Sequence, residues 1–593
     1  MPLIVFYTKR VRDALKAPAG LTIDVLALLG IGALVGALIS FGHQVSAPYQ
    51  QKVEISLSFW SLPKYTFFSL ARGIAAYVLS LIFTLVYGTI AAHNRRAEKV
   101  MIPALDVLQS IPVLGFLPSL VLAMIALFPS REIGLEIACI VMIFTAQAWN
   151  MAFSFFGSLR NIPTPLREVA KVNRLGWWRV FRILEVPASM IGLVWNSMMS
   201  MAGGWFFLTV NEAFTLGDRD FRLPGVGSYM AEAINDGNTR AMIAAVVAMI
   251  VMIVAVDQLF WRPVVVWSER FKVEETSEAE KPQSWVLNVL RHSRLWAWVL
   301  HRFGHDRKLP VLPDAGDVAP SELPKRKPRE LLGKYRAEAK TLFGWLILGL
   351  LGLGTAWGIH SLFKLLVVLP IRDSATGEDW THVLLALLAS FARTTTAVLL
   401  GAAWTLPVGI LIGLSPKWSQ RLQPVVQVVA SFPAPMVFPL VTILLVFLHI
   451  PFTIGCVALM LLGAQWYVLF NVIAGAMAIP SELKEVGRVY GTPAWTRWTR
   501  TYIPGVFPYL VTGLVTAAGG AWNATIVSEY VQVKGNTFIA FGLGSIISQA
   551  TASGNFPLLA AGIVTMAVSV VILNRLIWKR LYRTAENRYS LNV

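Results

Sequence analysis

Twelve apolar stretches, most of them near the roughly 20 residues a helix needs to cross a bilayer, limit what this chain can fold into. Six fall in the first part: Leu21–Phe41, Tyr65–Ala92, Val113–Phe128, Ile137–Phe155, Ala188–Val210 and Ala241–Val266. Six more follow a polar gap: Leu342–Leu369, Val383–Leu414, Val429–Leu448, Phe452–Met477, Gly505–Ile526 and Leu558–Ile577. Only 14% of the 593 residues are charged and 56% are hydrophobic, with a mean hydropathy of +0.61. A soluble domain carries roughly 25% charged residues, so a water-soluble globule and a disordered chain are both excluded. The formal charge of +18 would suit a nucleic-acid binder, but such a protein has no use for so much apolar length. The expected fold class is an all-α polytopic membrane protein with about twelve transmembrane helices.

The positive charge is unevenly placed. Lys9, Arg10, Arg12 and Lys16 precede the first stretch, Arg95, Arg96 and Lys99 follow the second, and Arg575, Lys579, Arg580 and Arg583 close the chain. The intervening loops His43–Pro63 and Ser374–His382 are poor in cations. By the positive-inside rule, both termini and the long middle segment are expected in the cytoplasm. A small-residue cleavage site is not obvious after the basic start, so the first stretch reads as a retained span. The middle segment interleaves Trp285, Leu287, Leu290, Leu295, Trp298 and Leu300 with Arg291, Arg294 and Arg302. Two readings stay open for it: an amphipathic helix on the membrane surface, or a plain tether.

The chain is also a duplication. Trp149 and Trp466 lie 317 positions apart (466 − 149), as do Trp205 and Trp522, Trp261 and Trp578, Pro187 and Pro504, Glu212 and Glu529, and the two cysteines, Cys139 and Cys456. Gly225-Val226-Gly227-Ser228 maps onto Gly542-Leu543-Gly544-Ser545 by the same offset. Upstream the offset is 321 (393 − 72), relating Arg72 to Arg393, Gly88 to Gly409, and Ser110-Ile111-Pro112 to Ser431-Phe432-Pro433. Six spans per copy give both copies the same topology, so they can pair about an axis along the membrane normal and enclose a path. The expected organisation is 1–262, a linker 263–340, and 341–593.

Each copy carries one polar loop between its fourth and fifth spans. The first begins Ile162-Pro163-Thr164-Pro165-Leu166-Arg167-Glu168-Val169-Ala170, the second Ile479-Pro480-Ser481-Glu482-Leu483-Lys484-Glu485-Val486-Gly487. In both, nineteen residues separate the Glu from the closing Pro (187 − 168 and 504 − 485). Thr164 or Ser481 is expected to cap a helix, Glu168 and Glu485 to fall near its first turn, and Gly176 or Gly491 to permit a reversal into a second short helix. This doubled loop resembles the coupling loop of ABC importer permeases, and the Gly542–Gly544 and Trp522…Glu529 spacing resembles the nitrate, sulfonate, taurine and bicarbonate branch. The resemblance implies a type I importer fold, two permease domains in one chain, in a bacterial inner membrane. It further implies two separate nucleotide-binding subunits that carry ATP and Mg, and a periplasmic or lipid-anchored binding protein that delivers cargo. Glu168, Ala170, Arg174, Gly176, Glu485, Gly487 and Gly491 would then form the ATPase-coupling loops. Two residues depart from the family pattern: Arg174 stands where a Gly is usual, and Gly487 where an Ala is usual.

No phosphate-cradling Gly-x-x-x-x-Gly-Lys-Ser/Thr occurs, so ATP hydrolysis is not expected of this chain, nor is any other catalysis. His301 and His305 stand four apart without Cys or carboxylate partners, and no metal site is expected. Membrane lipid is an expected partner and nucleic acid is not. An ion-coupled secondary transporter with six plus six spans is the nearest rival, but its spans would need acids for proton or sodium traffic, and the doubled loop would have no task. A membrane-embedded enzyme is the second rival, and no convergent catalytic set can be assembled for it. Candidates for the translocation path are the polar and amphipathic residues placed in or at the ends of spans: Gln147, Trp149, Glu212, Gln465, Trp466, Glu529, Arg72 and Arg393. Each has a plainer reading: interhelical hydrogen bonding for the amides and tryptophans, a helix-end carboxylate held by solvent or a neighbouring Arg for the acids, a snorkelling side chain for the arginines.

Overall fold

A computed structural model describes residues 19–47, 53–110, 113–216, 219–271, 284–287, 349, 352–354, 356–371, 379–533 and 535–589. The surface-helix expectation for residues 288–302, with His301 and His305, and the first copy's Ile111-Pro112 lie outside them. Two compact units are present. One comprises Met1–Gly32 and Leu287–Leu369, and among its described residues is part of an apolar helix, Gly352–Val368. The other comprises Ala33–Val286 and Pro370–Val593 and contains both copies of the repeat beyond their first spans.

Within the larger unit the duplication is visible turn by turn. Helix Leu62–His93 corresponds to Trp380–Leu414, Arg95–Ser110 to Pro416–Ser431, Ile133–Arg160 to Phe452–Ala478, Val186–Asn211 to Ile503–Ser528, and Thr239–Val256 to Phe556–Leu573. Four π-helical turns repeat as well: Phe181–Glu185 with Trp498–Tyr502, and Asp257–Trp261 with Asn574–Trp578. Three of the four are followed two residues later by Pro187, Pro263 or Pro504. A proline ring displaces the carbonyl four residues back, and a widened turn accommodates that displacement without ending the helix.

The two copies pack their long helices alike. In the first, Met151, Phe155 and Leu159 bury against Leu193; in the second, Val468, Val472 and Ala476 bury with Val506 and Ala517. Gly88 and Gly409 mark the same close crossing, since a Cβ on either would come within 2.6 Å of Phe155 or Val472. Small residues let spans approach, and dispersion contacts then hold them.

Twelve full-length spans are not what the described residues contain. Seven helices are long and apolar enough to cross a bilayer, and shorter apolar helices stand at Gly32–Val45, Leu117–Leu127, Gly352–Val368 and Phe438–Phe447. The stretches read as third spans, Val113–Phe128 and Val429–Leu448, are therefore corrected. Each is a 3₁₀ turn (Val113–Phe116 or Ala434–Met436) followed by a helix of 11 or 10 residues. At 1.5 Å per residue such a helix covers only about 16 Å. Pro433 explains the break in the second copy: it donates no N–H, and Phe432 before it is held extended. The helices that precede these breaks, Arg95–Ser110 and Pro416–Ser431, are amphipathic and were not expected.

The all-α class holds with one addition. After each fifth span comes a two-stranded antiparallel hairpin: β1 Ala213–Leu216 with β2 Arg219–Arg222, and β3 Tyr530–Val533 with β4 Asn536–Ile539. Ala213 pairs with Arg222 in the first, and Tyr530 with Ile539 in the second. The chain then enters the short, largely buried helices Val226–Asn235 and Leu543–Ser553.

Candidate functional site

Where each hairpin begins, a buried carboxylate gathers the surrounding elements. Glu212 accepts from Ser69 Oγ at 2.6 Å, from Arg72 Nη1 at 2.8 Å and from the Gly227 N–H at 2.8 Å. Glu529 accepts from Ser390 Oγ at 2.7 Å, from Arg393 Nη1 at 3.0 Å and from the Gly544 N–H at 2.9 Å. The serine hydroxyls in turn accept from Val226 N and Leu543 N, and each arginine donates to a carbonyl on the same turn, Pro224 or Phe541. The Gly-x-Gly-Ser motif is the lid of this arrangement. A Cβ on Gly225 would lie 2.3 Å from the Glu212 carboxylate, and one on Gly542 would lie 2.3 Å from that of Glu529. A charge this deep in a membrane protein persists only when paired and hydrogen-bonded, and both nodes meet that condition.

Arg72 and Arg393 are therefore not snorkelling at helix ends. The Arg72 side chain is 0% exposed and holds a second carboxylate besides Glu212, Glu136, through Nε at 2.6 Å and Nη2 at 2.7 Å. Sequence reasoning missed Glu136, which begins an apolar run and reads there as a helix end. In the second copy Thr453 stands 317 positions on, and Arg393 pairs with Glu529 alone among the described carboxylates.

The polar loops have a different character, with apolar side chains turned outward. Helix Thr164–Val172 exposes Leu166, Val169 and Val172, and Trp177 and Trp178 follow, also exposed. Helix Ser481–Val489 exposes Leu483 and Val489, followed by exposed Tyr490 and Trp495. Glu168 and Glu485 are exposed, Ala170 is buried, and Gly487 lies within the second helix. Partial burial holds the Lys484 ammonium below its ordinary pKa.

Three expectations for the loops are corrected. The helix cap is Pro163 rather than Thr164, and its carbonyl accepts from Leu166 N at 3.1 Å. Glu168 falls in the second turn, so Thr164–Val172 has no acid in its first; in the second loop Glu482, not Glu485, occupies the first turn. Gly176 is extended (φ −64°, ψ 154°) and does not make the reversal. Arg174 does, at φ 49°, in register with Gly491 at φ 59°. The left-handed conformation costs an L-residue roughly 1–2 kcal/mol and glycine almost nothing, so the first loop carries strain that the second lacks.

Between the copies lies a narrow cleft. Met199, Gly203 and Phe206 line it from the first copy, and Phe432, Trp466 and Tyr467 are among its lining residues from the second. Of the path candidates, Trp466 reaches this cleft. Gln147 is buried within the first copy, where its Oε1 accepts from Ser80 Oγ at 3.3 Å, and Gln465 Oε1 accepts from Trp404 Nε1 at 3.0 Å. Trp149 packs edge-on against Phe83, as Trp466 does against Trp404 at the matching positions.

The pattern of one family, the binding-protein-dependent transport system inner membrane component, matches residues 84–260 and again residues 405–588. Together these cover more than half of the chain. The chain belongs to this family. Both polar loops, Glu136, Glu212 and Glu529 lie inside the two matches, whereas Arg72 and Arg393 lie outside them. The chain is similar to a nitrate import permease protein of Leptolyngbya laminosa, 26% identical over 191 residues, 32% of this chain and 65% of the relative. It is similar to a putative aliphatic sulfonates transport permease protein of Bacillus subtilis, 26% identical over 258 residues, 43% of this chain and 88% of the relative. A bicarbonate transport system permease protein of Synechocystis matches at 26% over 201 residues, 31% of this chain and 70% of the relative. The chain thus spans just under two thirds of the nitrate permease's length and most of the sulfonate permease's. As a permease of this family with two copies of the domain, it folds as an all-α, multi-pass membrane protein, and the carboxylate nodes and outward loops occur once in each copy.

Proposed function

We propose that this permease is the transmembrane subunit of an ATP-driven importer, with two permease domains (1–262 and 341–593) joined by a cytoplasmic linker (263–340). One observation carries the reading: a helix–reversal–helix loop with an exposed apolar face, present twice with the same spacing. An isolated amphipathic loop of this kind would leave Val172, Trp177, Val489 and Trp495 in water, and exposed apolar patches of that sort mark docking sites. Each loop, with Glu168, Ala170, Arg174 and Gly176 or Glu485, Gly487 and Gly491, docks on one of two ATPase subunits, which hold ATP and Mg. Closure of those subunits rocks the two copies and alternates access to the cleft between them. A periplasmic or lipid-anchored binding protein delivers the cargo at the hairpin end. The basic loops and termini then lie in the cytoplasm of a bacterial cell, facing anionic lipid.

The carboxylate nodes are scaffold in this reading, since Arg72, Glu212 and Glu529 are enclosed and satisfied within their own copies. The cleft conducts. Among the described residues its lining contains no charged side chain, and Phe206, Phe432, Trp466 and Tyr467 offer aromatic faces. Among small anions of the nitrate, sulfonate and bicarbonate kinds, that lining favours a sulfonate with an apolar body, because a bare inorganic ion gains little from aromatic walls.

Vesicles containing the chain with its ATPase subunits and binding protein test the proposal. Uptake that requires ATP and persists when ion gradients are collapsed is the expected result. Uptake driven by a proton or sodium gradient without ATP would replace it with a secondary transporter.

A further inference from the structure

Among the described residues several buried acids take no part in either node, and one of them joins the two copies. Asp257 opens the π-helical turn Asp257–Trp261 in the first copy. Its Oδ1 accepts from Gln427 Nε2 of the second copy at 2.9 Å, and its Oδ2 accepts from Gln258 Nε2 at 2.8 Å. Arg262 Nε stands 3.9 Å away. The π turn matters here, because widening one helical turn re-aims the side chains that follow it, and such turns concentrate at functional positions. Asp257 and Gln427 border a small cavity between the copies, together with Met201, Trp205 and Trp261.

We propose that Asp257 and Gln427 form a latch across the two halves, which holds them in the arrangement seen here and opens once in each transport cycle. The inference rests on the alternating-access reading above. Three observations support it beyond the bond itself. The bond joins the two bodies that must move against each other, whereas the Arg72 and Arg393 pairs lie within one body each. Release of Gln427 does not orphan the carboxylate, because Gln258 and Arg262 stay with it on the same helix, so the latch can open at moderate cost. The sequence repeat also keeps the two residue types at the equivalent positions. Position 574, 317 beyond Asp257, is Asn, and position 106, 321 before Gln427, is Asp. An acid and an amide occupy the equivalent helices again, with the acid again in the first copy, and helix Arg95–Ser110 packs on Phe556–Leu573 as Pro416–Ser431 packs on Thr239–Val256. Trp285 Nε1 donates to Gln258 Oε1 at 3.2 Å, which ties the start of the linker to the same turn.

The test measures ATP hydrolysis by the full chain purified with its ATPase subunits, with and without the binding protein. Gln427→Ala is expected to raise the idle rate by about three- to tenfold and to shrink the stimulation by the binding protein, as loss of one charge-assisted hydrogen bond from the latched arrangement should. The exchanged pair Asp257→Asn with Gln427→Glu rebuilds the bond with acid and amide swapped, and should bring the idle rate back to within about twofold of the parent. An idle rate and a stimulation unchanged by Gln427→Ala in an intact complex would overturn the latch. If that variant does not assemble, Asp257→Cys with Gln427→Cys, in a chain whose Cys139 and Cys456 are alanine, decides the matter. Oxidation should abolish stimulation and a reductant should restore it; full stimulation while cross-linked would overturn the proposal. Absence of any bound ATPase would instead refute the importer reading on which the latch depends.

Discussion

The two carboxylate nodes are built from the same parts and differ in one residue. Ser69 and Ser390, Arg72 and Arg393, Glu212 and Glu529, and the two Gly-x-Gly lids superpose in role. In the first, Glu136 adds a second carboxylate and the Arg72 side chain is fully enclosed; in the second, Thr453 stands in the matching place and the Arg393 side chain is 11% exposed. The difference separates two tasks that one node could conceal. Tying the hairpin, the lid and the second span together needs only Ser, Arg, Glu and the Gly-x-Gly turn, since the second node does so without a counterpart of Glu136. Sealing the arginine away from solvent needs the extra acid.

The largest expected effect follows from that count. Arg72→Met leaves two buried carboxylates without their cation, and removing one partner of a buried pair costs about 3–5 kcal/mol. Arg393→Met leaves one carboxylate, still held by Ser390 and backbone amides, and should cost less. Unfolding midpoints of the two variants in detergent decide it, and equal losses would erase the distinction between the nodes. Gly225→Ala and Gly542→Ala should instead behave alike, each losing roughly 1–3 kcal/mol or more, because the new Cβ collides with the carboxylate in both copies. Unequal losses would show that the shared core is not shared. Glu136→Thr converts the first node into the second; it should cost roughly 1–3 kcal/mol, less than Arg72→Met, and make Arg72 more accessible to hydrogen exchange. The smallest effect lies in the loops. Arg174→Gly should gain about 1 kcal/mol by relieving the left-handed backbone, and Gly491→Arg should lose about as much, read as protection of each loop from proteolysis.

How much of this was legible depended on sequence distance. The duplication, the loops and their nineteen-residue spacing are local patterns, and they reappear as elements in register. Arg72 and Glu212 were each visible as a charge at the end of a span, but 140 positions separate them, and nothing local says that they meet. The Gly-x-Gly-Ser motif was found as a repeat marker; that its glycines cover a carboxylate is a fact of three-dimensional approach. Ser431-Phe432-Pro433 was legible as a break at the start of the second copy's third span; what the apolar run did not show is that a helix of only 10 residues follows it. The hairpins escaped notice because four-residue strands carry too little alternation to be read. Asp257 was missed although it lies inside the expected span Ala241–Val266; that it meets Gln427, 170 positions away in the other copy, is again a fact of three-dimensional approach.

The account turns on two loops in one chain serving two ATPase subunits. The mass of the complex purified intact from membranes tests this most directly, first with the parent chain and then with Trp177→Glu or Trp495→Glu in one loop at a time. Two ATPase subunits per chain, falling to one when either loop is altered, is the predicted result. A chain that carries out transport with no ATPase bound, or that keeps both subunits when either loop is altered, would contradict it.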